Sequence, residues 1–184
     1  MTIAHVSLVG VRPIMFDRYP GDNNTQLRPE EKFYLTEEKK IYLPSINLYS
    51  MLVAENGKSA CKQYCGKNWR TVSQCIASQT NIEPFEIIFT ADGKDIIFDG
   101  FDSKIYVHQS VARVKKGSLS IPSPKSRPVI APPWELSFEI VMEESKDLTF
   151  ETMRNLFNHS GNIGLGTFRP FFGRFKVDKF EVVK

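Results

Sequence analysis

Fifteen residues near the end of the chain, Gly161 to Phe175, hold four glycines, two arginines and four phenylalanines. Glycine tolerates positive φ and lets backbone amides come close to a ligand, and successive amides of this kind form an anion-binding concavity. Arginine adds a planar fork that grips phosphate bidentately. Phenylalanine offers a face on which a base can stack. Gly161, Gly164, Gly166, Phe168, Arg169, Phe171, Gly173 and Arg174 therefore make a candidate site for single-stranded nucleic acid. The same residues have plainer uses: Gly161 as a helix stop, Gly164 and Gly166 as a tight return, Gly173 as a bulge, and the phenylalanines as core. That plainer account leaves Arg169 and Arg174 unexplained. Gly164-Leu165-Gly166 is not a dinucleotide fingerprint, because it follows a helix and precedes a strand, the reverse of what that motif's mechanics require.

The formal net charge, +3, is too small by itself to imply a polyanionic partner. Its distribution says more. No acid occurs between Asp102 and Glu135, where Lys104, Arg113, Lys115, Lys116, Lys125 and Arg127 fall. A second acid-free run, Thr152 to Val177, carries Arg154, Arg169, Arg174 and Lys176. Arg113, Lys115, Lys116, Lys125 and Arg127 thus join the candidate binding set.

Other chemistry is sparse. His5, His108 and His159 lie far apart in sequence, and only His159, at the end of a predicted helix beside the glycine segment, is placed to act as a general acid or base. A histidine at a helix C-terminus more commonly serves the helix dipole, so no catalytic residue is assigned. Glu30-Glu31, Glu37-Glu38 and Glu143-Glu144 are adjacent pairs, the habit of solvated surface. Cys61, Cys65 and Cys75 lack the fourth ligand and the spacing of a zinc site and read as free thiols of a reducing compartment. No metal and no cofactor is expected. The opening MTIAHVSLVGVRP does not read as a signal peptide or an anchor, and no apolar run approaches the about 18 residues of a membrane span, so neither secretion nor membrane insertion is expected.

The elements that must position these groups follow from periodicity. Ile3 to Val11 reads as a strand, and residues 13–40, with Pro20-Gly21 and Asn23-Asn24, as a surface insertion whose Phe16, Tyr19, Phe33 and Tyr34 would suit contact with another protein. Apolar spacing over 44–55, closed by Asn56-Gly57, predicts a helix. Residues 56–103 form a further insertion, with a short helix at Trp69 to Ser78 and a hairpin turning at Asp92-Gly93. Lys104 to Lys115 alternates as a long strand. The segment 116–133, with Pro122, Pro124, Pro128, Pro132 and Pro133, is expected to be a projecting basic loop, since proline removes ladder donors. Trp134 to Met142 alternates cleanly, a helix at about 149–159 places Phe150, Met153, Leu156 and Phe157 on one face, and Phe172 to Val183 closes the chain as a strand. The order strand, helix, strand, strand, helix, strand predicts one α+β domain over 1–184 of the ferredoxin-like (RRM-like) type, an antiparallel sheet with two helices on one face. Composition agrees with a globular domain, at 41% hydrophobic and 24% charged residues.

A glycine-rich loop after the last helix of such a unit resembles that of the repeat-associated mysterious protein (RAMP) superfamily, which includes backbone and processing subunits of CRISPR effector complexes. Val9-Gly10-Val11-Arg12-Pro13-Ile14-Met15, Ser126-Arg127-Pro128 with Trp134, and Gly164-Leu165-Gly166-Thr167-Phe168-Arg169-Pro170 with Gly173-Arg174-Phe175 are also similar to small bacteriophage and prophage proteins. The resemblance lies in the opening and the last third of the chain. It implies a module that grips single-stranded RNA or DNA by the backbone, self-associates or assembles with other subunits along the strand, carries a thumb-like projection at 116–133, and works in a bacterial cytoplasm. Two alternatives stay open: an assembly or inhibitor subunit on the same fold, and an RNA-processing endoribonuclease using His159.

Overall fold

A computed structural model describes residues 2–22, 24–53 and 59–183, leaving out the side chains of residues 112 and 114–116. The side chains of Lys115 and Lys116 and the expected helix stop at Asn56-Gly57 lie outside the described residues. In chain order the elements are β1 (Thr2–Gly10), β2 (Ile14–Met15), a 3-10 turn (Pro29–Lys32), β3 (Tyr42–Pro44), α1 (Ile46–Val53), α2 (Ala60–Tyr64) and α3 (Trp69–Gln79). Then come β4 (Thr80–Glu83), β5 (Glu86–Ala91), β6 (Lys94–Asp95), β7 (Ile105–Lys116), β8 (Leu119–Ile130), β9 (Glu135–Met142), α4 (Phe150–Ser160) and β10 (Phe175–Val183).

The main sheet is antiparallel, in the order β10-β1-β9-β5-β3, with β4 also on β9 and β6 on β5. Its centre follows from the alternation of apolar residues. Ala4, Val6 and Leu8 of β1 and Leu136, Phe138, Ile140 and Met142 of β9 turn to the buried side, where they form one core with Leu48, Met51, Ile76, Met153, Leu156 and Phe157 of the helices. His5, Ser7, Ser137 and Glu139 stand on the other face. Two local signals set up α4: the Thr149 hydroxyl accepts from the Thr152 amide at 3.1 Å, and the Glu144 carboxylate accepts from the Phe150 amide at 2.9 Å. Such a cap contributes about 1 kcal/mol. Placing β10 beside β1, and β4 with β5 on the far edge of β9, gives the ferredoxin-like α+β arrangement.

Three parts of the chain depart from the sequence expectation. First, residues 56–103 are not a mere insertion: they supply α2, α3 and the strand on the outer edge of β9. That strand is split, Thr80 to Glu83 pairing with Met142 to Glu139 and Phe89 and Thr90 with Leu136 and Glu135. Two short pieces carry too little alternation to stand out. The hairpin turn does fall at Asp92-Gly93, with φ of 51° and 72°.

Second, the strand expected at 104–115 exists as β7 but lies outside the main sheet. It pairs with β8 over twelve residues, and the short β2 completes a three-stranded ribbon. The expected loop at 116–133 is therefore largely the strand β8. Its prolines are tolerated because they share one edge. The Pro128 carbonyl accepts from the Phe16 amide at 3.0 Å, so the missing donor of Pro128 also faces away from β7. The two-residue period turns Pro124 and Pro122 to that same edge, beyond the end of β2.

Third, residues 13–40 are partly core. Ile14, Met15, Phe16 and Phe33 are buried, with Phe16 edge-on to both Phe33 and Phe89. Of the aromatic residues expected to be exposed there, Tyr19 is exposed at 61%, whereas Phe16 and Phe33 are each 2% exposed. Among the described residues no helix is long and apolar enough to cross a membrane.

Candidate nucleic-acid interface

The segment after α4 is held by its own backbone. The amides of Ile163 and Gly164 return to the Ser160 carbonyl at 2.9 and 3.0 Å, Leu165 donates to Gly173 at 2.9 Å, and Phe175 donates to Gly161 at 3.2 Å. Ile163 and Leu165 are buried and anchor the loop in the core. Two bonds tie it to the strand entering the ribbon: Thr167 donates to the Met15 carbonyl at 2.9 Å, and Gly173 donates to the Pro13 carbonyl at 2.7 Å.

The glycines serve this packing. Gly161 caps α4, and a Cβ there would meet the Phe175 carbonyl at 2.4 Å. Gly164 presses on the backbone of Phe172 and Gly173. Gly166, at φ of 72°, lies against the Met15 carbonyl, and Gly173, at 74°, against the Leu165 carbonyl. The amides of Gly164, Leu165, Thr167 and Gly173 are all spent inside the protein. The sequence reading, in which the glycines open a path for a ligand, is thus narrowed to the outer turn, where the amides of Gly166, Phe168 and Arg169 have no acceptor among the described residues. Phe168 stands there at φ of 59°, an unusual conformation for a bulky residue.

The arginines and aromatics fall at that turn. Arg169 donates to the Gly164 carbonyl at 3.4 Å and Arg174 to the Pro170 carbonyl at 2.9 Å. Among the described residues neither has a carboxylate within ion-pair distance. Burial without a counter-ion pulls Arg169 below its ordinary value, an electrostatic cost that an anion would offset. The backbone of Arg12 lies alongside, since the Arg174 carbonyl accepts from the amides of both Val11 and Arg12; Arg12 is exposed and has no carboxylate within ion-pair distance among the described residues. Nothing in the sequence around Arg12 marks it for this site, because the pairing of the end of β1 with the start of β10 is not visible there. Phe168 and Phe171 are 53% and 65% exposed, and their ring centroids are 5.8 Å apart.

The second basic segment reaches this site through Phe172, which lies edge-on to His108 of β7 at 5.2 Å. His108 pairs across the ribbon with Arg127, and Ser110 with Lys125. The candidate residues on the ribbon divide sharply. Arg127 is held 2.7 Å from the Asp17 carboxylate with only 13% of its side chain exposed, and Lys32 binds the other oxygen of Asp17 at 3.3 Å. Arg127 therefore braces the base of the ribbon and offers no free charge. Arg113, exposed, and Lys125, half-buried, have no carboxylate partner among the described residues. The distal ribbon also exposes Val111 at 67%, Leu119 at 67% and Ile121 at 43%, apolar groups that a composition of proline and base concealed.

His159 is stacked on Tyr64, with centroids 4.2 Å apart and planes 15° from parallel. The described residues contain no group of three or more His, Cys, Asp or Glu that could hold a metal ion. The three cysteines are free, and burial pushes the Cys61 thiol up to about 12.

The fold and site define a ferredoxin-like α+β protein with a long β-ribbon beside a glycine-arginine loop. Among solved structures it is similar to a chain of the type III-B Cmr-β assembly solved by cryo-EM bound to cognate target RNA, with a TM-score of 0.67 and 13% identity. All of this chain is matched, and it spans 61% of that one. No protein-family model matches the sequence, and no curated protein does.

Proposed function

We propose that this chain is a non-enzymatic module that binds single-stranded RNA or DNA by its backbone, in a CRISPR-related or bacteriophage system of a bacterial cell. The observation that carries the reading is one loop whose Arg169 and Arg174, with Arg12 joined to it through the backbone, have no carboxylate within ion-pair distance among the described residues, and whose Phe168 and Phe171 are exposed beside the β7-β8 ribbon. Cations fix phosphates and ring faces accept bases, a combination suited to single strands without strong sequence preference. The likeness in fold to a chain from an RNA-bound assembly supports the same reading. The His159 ring, stacked on Tyr64, is used structurally, and the module binds without cutting.

Fluorescence anisotropy with single-stranded RNA, single-stranded DNA and duplex over a range of salt tests this. Three phosphate contacts at about 0.7 each give a log-log salt slope of about 2 for single strands. Absence of binding, or affinity independent of salt, would overturn the proposal.

Exposed Val111, Leu119 and Ile121 favour a second, compatible reading, assembly with other subunits through the tip of the ribbon. Self-association by light scattering that Leu119→Ser abolishes would support it, and a strictly monomeric protein with and without oligonucleotide would count against it.

A further inference from the structure

Between the end of α2 and the loop after α4 lies a cavity of about 200 Å³ lined by Gln63, Tyr64, Asn162, Ile163, Arg169 and Pro170. It lies on the Arg169 side of the loop, and its lining combines a ring, an apolar wall, two side-chain amides and a cation. Tyr64, which lines the cavity, is 41% exposed, and His159 is stacked on one face of its ring and supports it. Ile163, 6% exposed, and Pro170 supply an apolar wall. Gln63 and Asn162 are exposed, and among the described residues their side-chain amides have no hydrogen-bond partner. Arg169, with no carboxylate within ion-pair distance among the described residues, lines the remaining side.

We infer that this cavity takes a single unpaired nucleobase. The inference rests on the proposed nucleic-acid reading and deepens it, because Arg169 belongs to both sites. A ring face supported from behind by a second ring is a stacking platform. A primary amide presents a donor beside an acceptor, the pattern that pairs with a base edge. An uncompensated guanidinium at the rim would hold the phosphate of the same nucleotide. A site for a bare anion needs neither the ring nor the apolar wall. This cavity sets two side-chain amides beside a ring, so it is where base identity would be sensed.

The test compares a single-stranded RNA with an oligomer of equal phosphate count in which abasic sites replace the bases. Both are titrated by anisotropy against the wild type and against Tyr64→Ala, Tyr64→Phe and Asn162→Ala. The wild type prefers the base-bearing strand by about ten-fold. Tyr64→Ala lowers that preference by about three-fold or more, leaving the share due to Phe168 and Phe171, and Tyr64→Phe keeps it. Asn162→Ala, a change at an exposed loop position that does not threaten the fold, lowers it by about three-fold. The salt slope is the same in all four proteins. If Tyr64→Ala and Asn162→Ala both retain the full preference, or if the wild type binds the two oligomers equally with a steep salt slope, the cavity is not a base site and the backbone interface still stands. If the wild type binds neither oligomer, both readings fail.

Discussion

Replacing Gly173 by alanine tests how the glycine loop is built. At φ of 74° an alanine sits in the left-handed region, which costs about 1–2 kcal/mol. Its Cβ would lie 1.9 Å from the Leu165 carbonyl oxygen and 2.7 Å from the Leu165 nitrogen. These are backbone atoms, so the chain must part. Parting strains two bonds, Leu165 to Gly173 at 2.9 Å and Gly173 to Pro13 at 2.7 Å. At about 0.5–1.5 kcal/mol each they bring the total to about 2–5 kcal/mol, or a fall in melting temperature of about 4–20 °C for a chain of this size. Gly93 provides the control. Its φ is 72°, but no atom lies within 4 Å of its missing Cβ, so Gly93→Ala carries only the conformational part of about 1–2 kcal/mol. Thermal unfolding followed by circular dichroism on the two variants and the wild type measures the difference. Equal falls in the two variants would refute the claim that the loop glycines exist for close backbone contact.

Arg127→Ala, which breaks the bridge to Asp17 at 2.7 Å, lowers the melting temperature by several degrees, at about 1.5–3 kcal/mol for a charged hydrogen bond with little exposure, yet leaves the salt slope of RNA binding unchanged; a reduced slope would make it a phosphate ligand. The Cys61 thiol is held up to about 12 by burial against a usual value of 9.0. The unfolded chain therefore loses this proton first. The stability tied to it is fully present below about pH 9 and is lost as pH rises through about 12. Iodoacetamide at pH 8 leaves Cys61 unmodified in the folded protein, and peptide mass spectrometry showing rapid labelling would contradict the burial.

What was legible in the sequence depended on how regular each element is. Trp134 to Met142 and the helix after Asp147 declare themselves through clean periodicity, and they appear as β9 and α4. The loop that follows was found by composition, although its glycines prove to serve packing more than ligand approach. Alternation over 104–115 revealed a strand but not its partner. A ribbon strand and a sheet strand share the same two-residue period, so periodicity alone does not distinguish β7 from the sheet position that β4 and β5 occupy. β8 was hidden by its prolines, whose common edge can be seen only once the register is known. Arg12 needed the tertiary structure, since its proximity to Arg174 joins residues from opposite ends of the chain.

The central claim is that the uncompensated arginines of the terminal loop hold nucleic-acid phosphates. The direct measurement is the salt dependence of single-stranded RNA binding by the double variant Arg169→Ala with Arg174→Ala, after circular dichroism has shown cooperative unfolding. Loss of two contacts lowers the log-log slope by about 1.4, at about 0.7 for each phosphate, and weakens binding at every salt concentration. A folded double variant that keeps the wild-type slope and affinity would contradict the account.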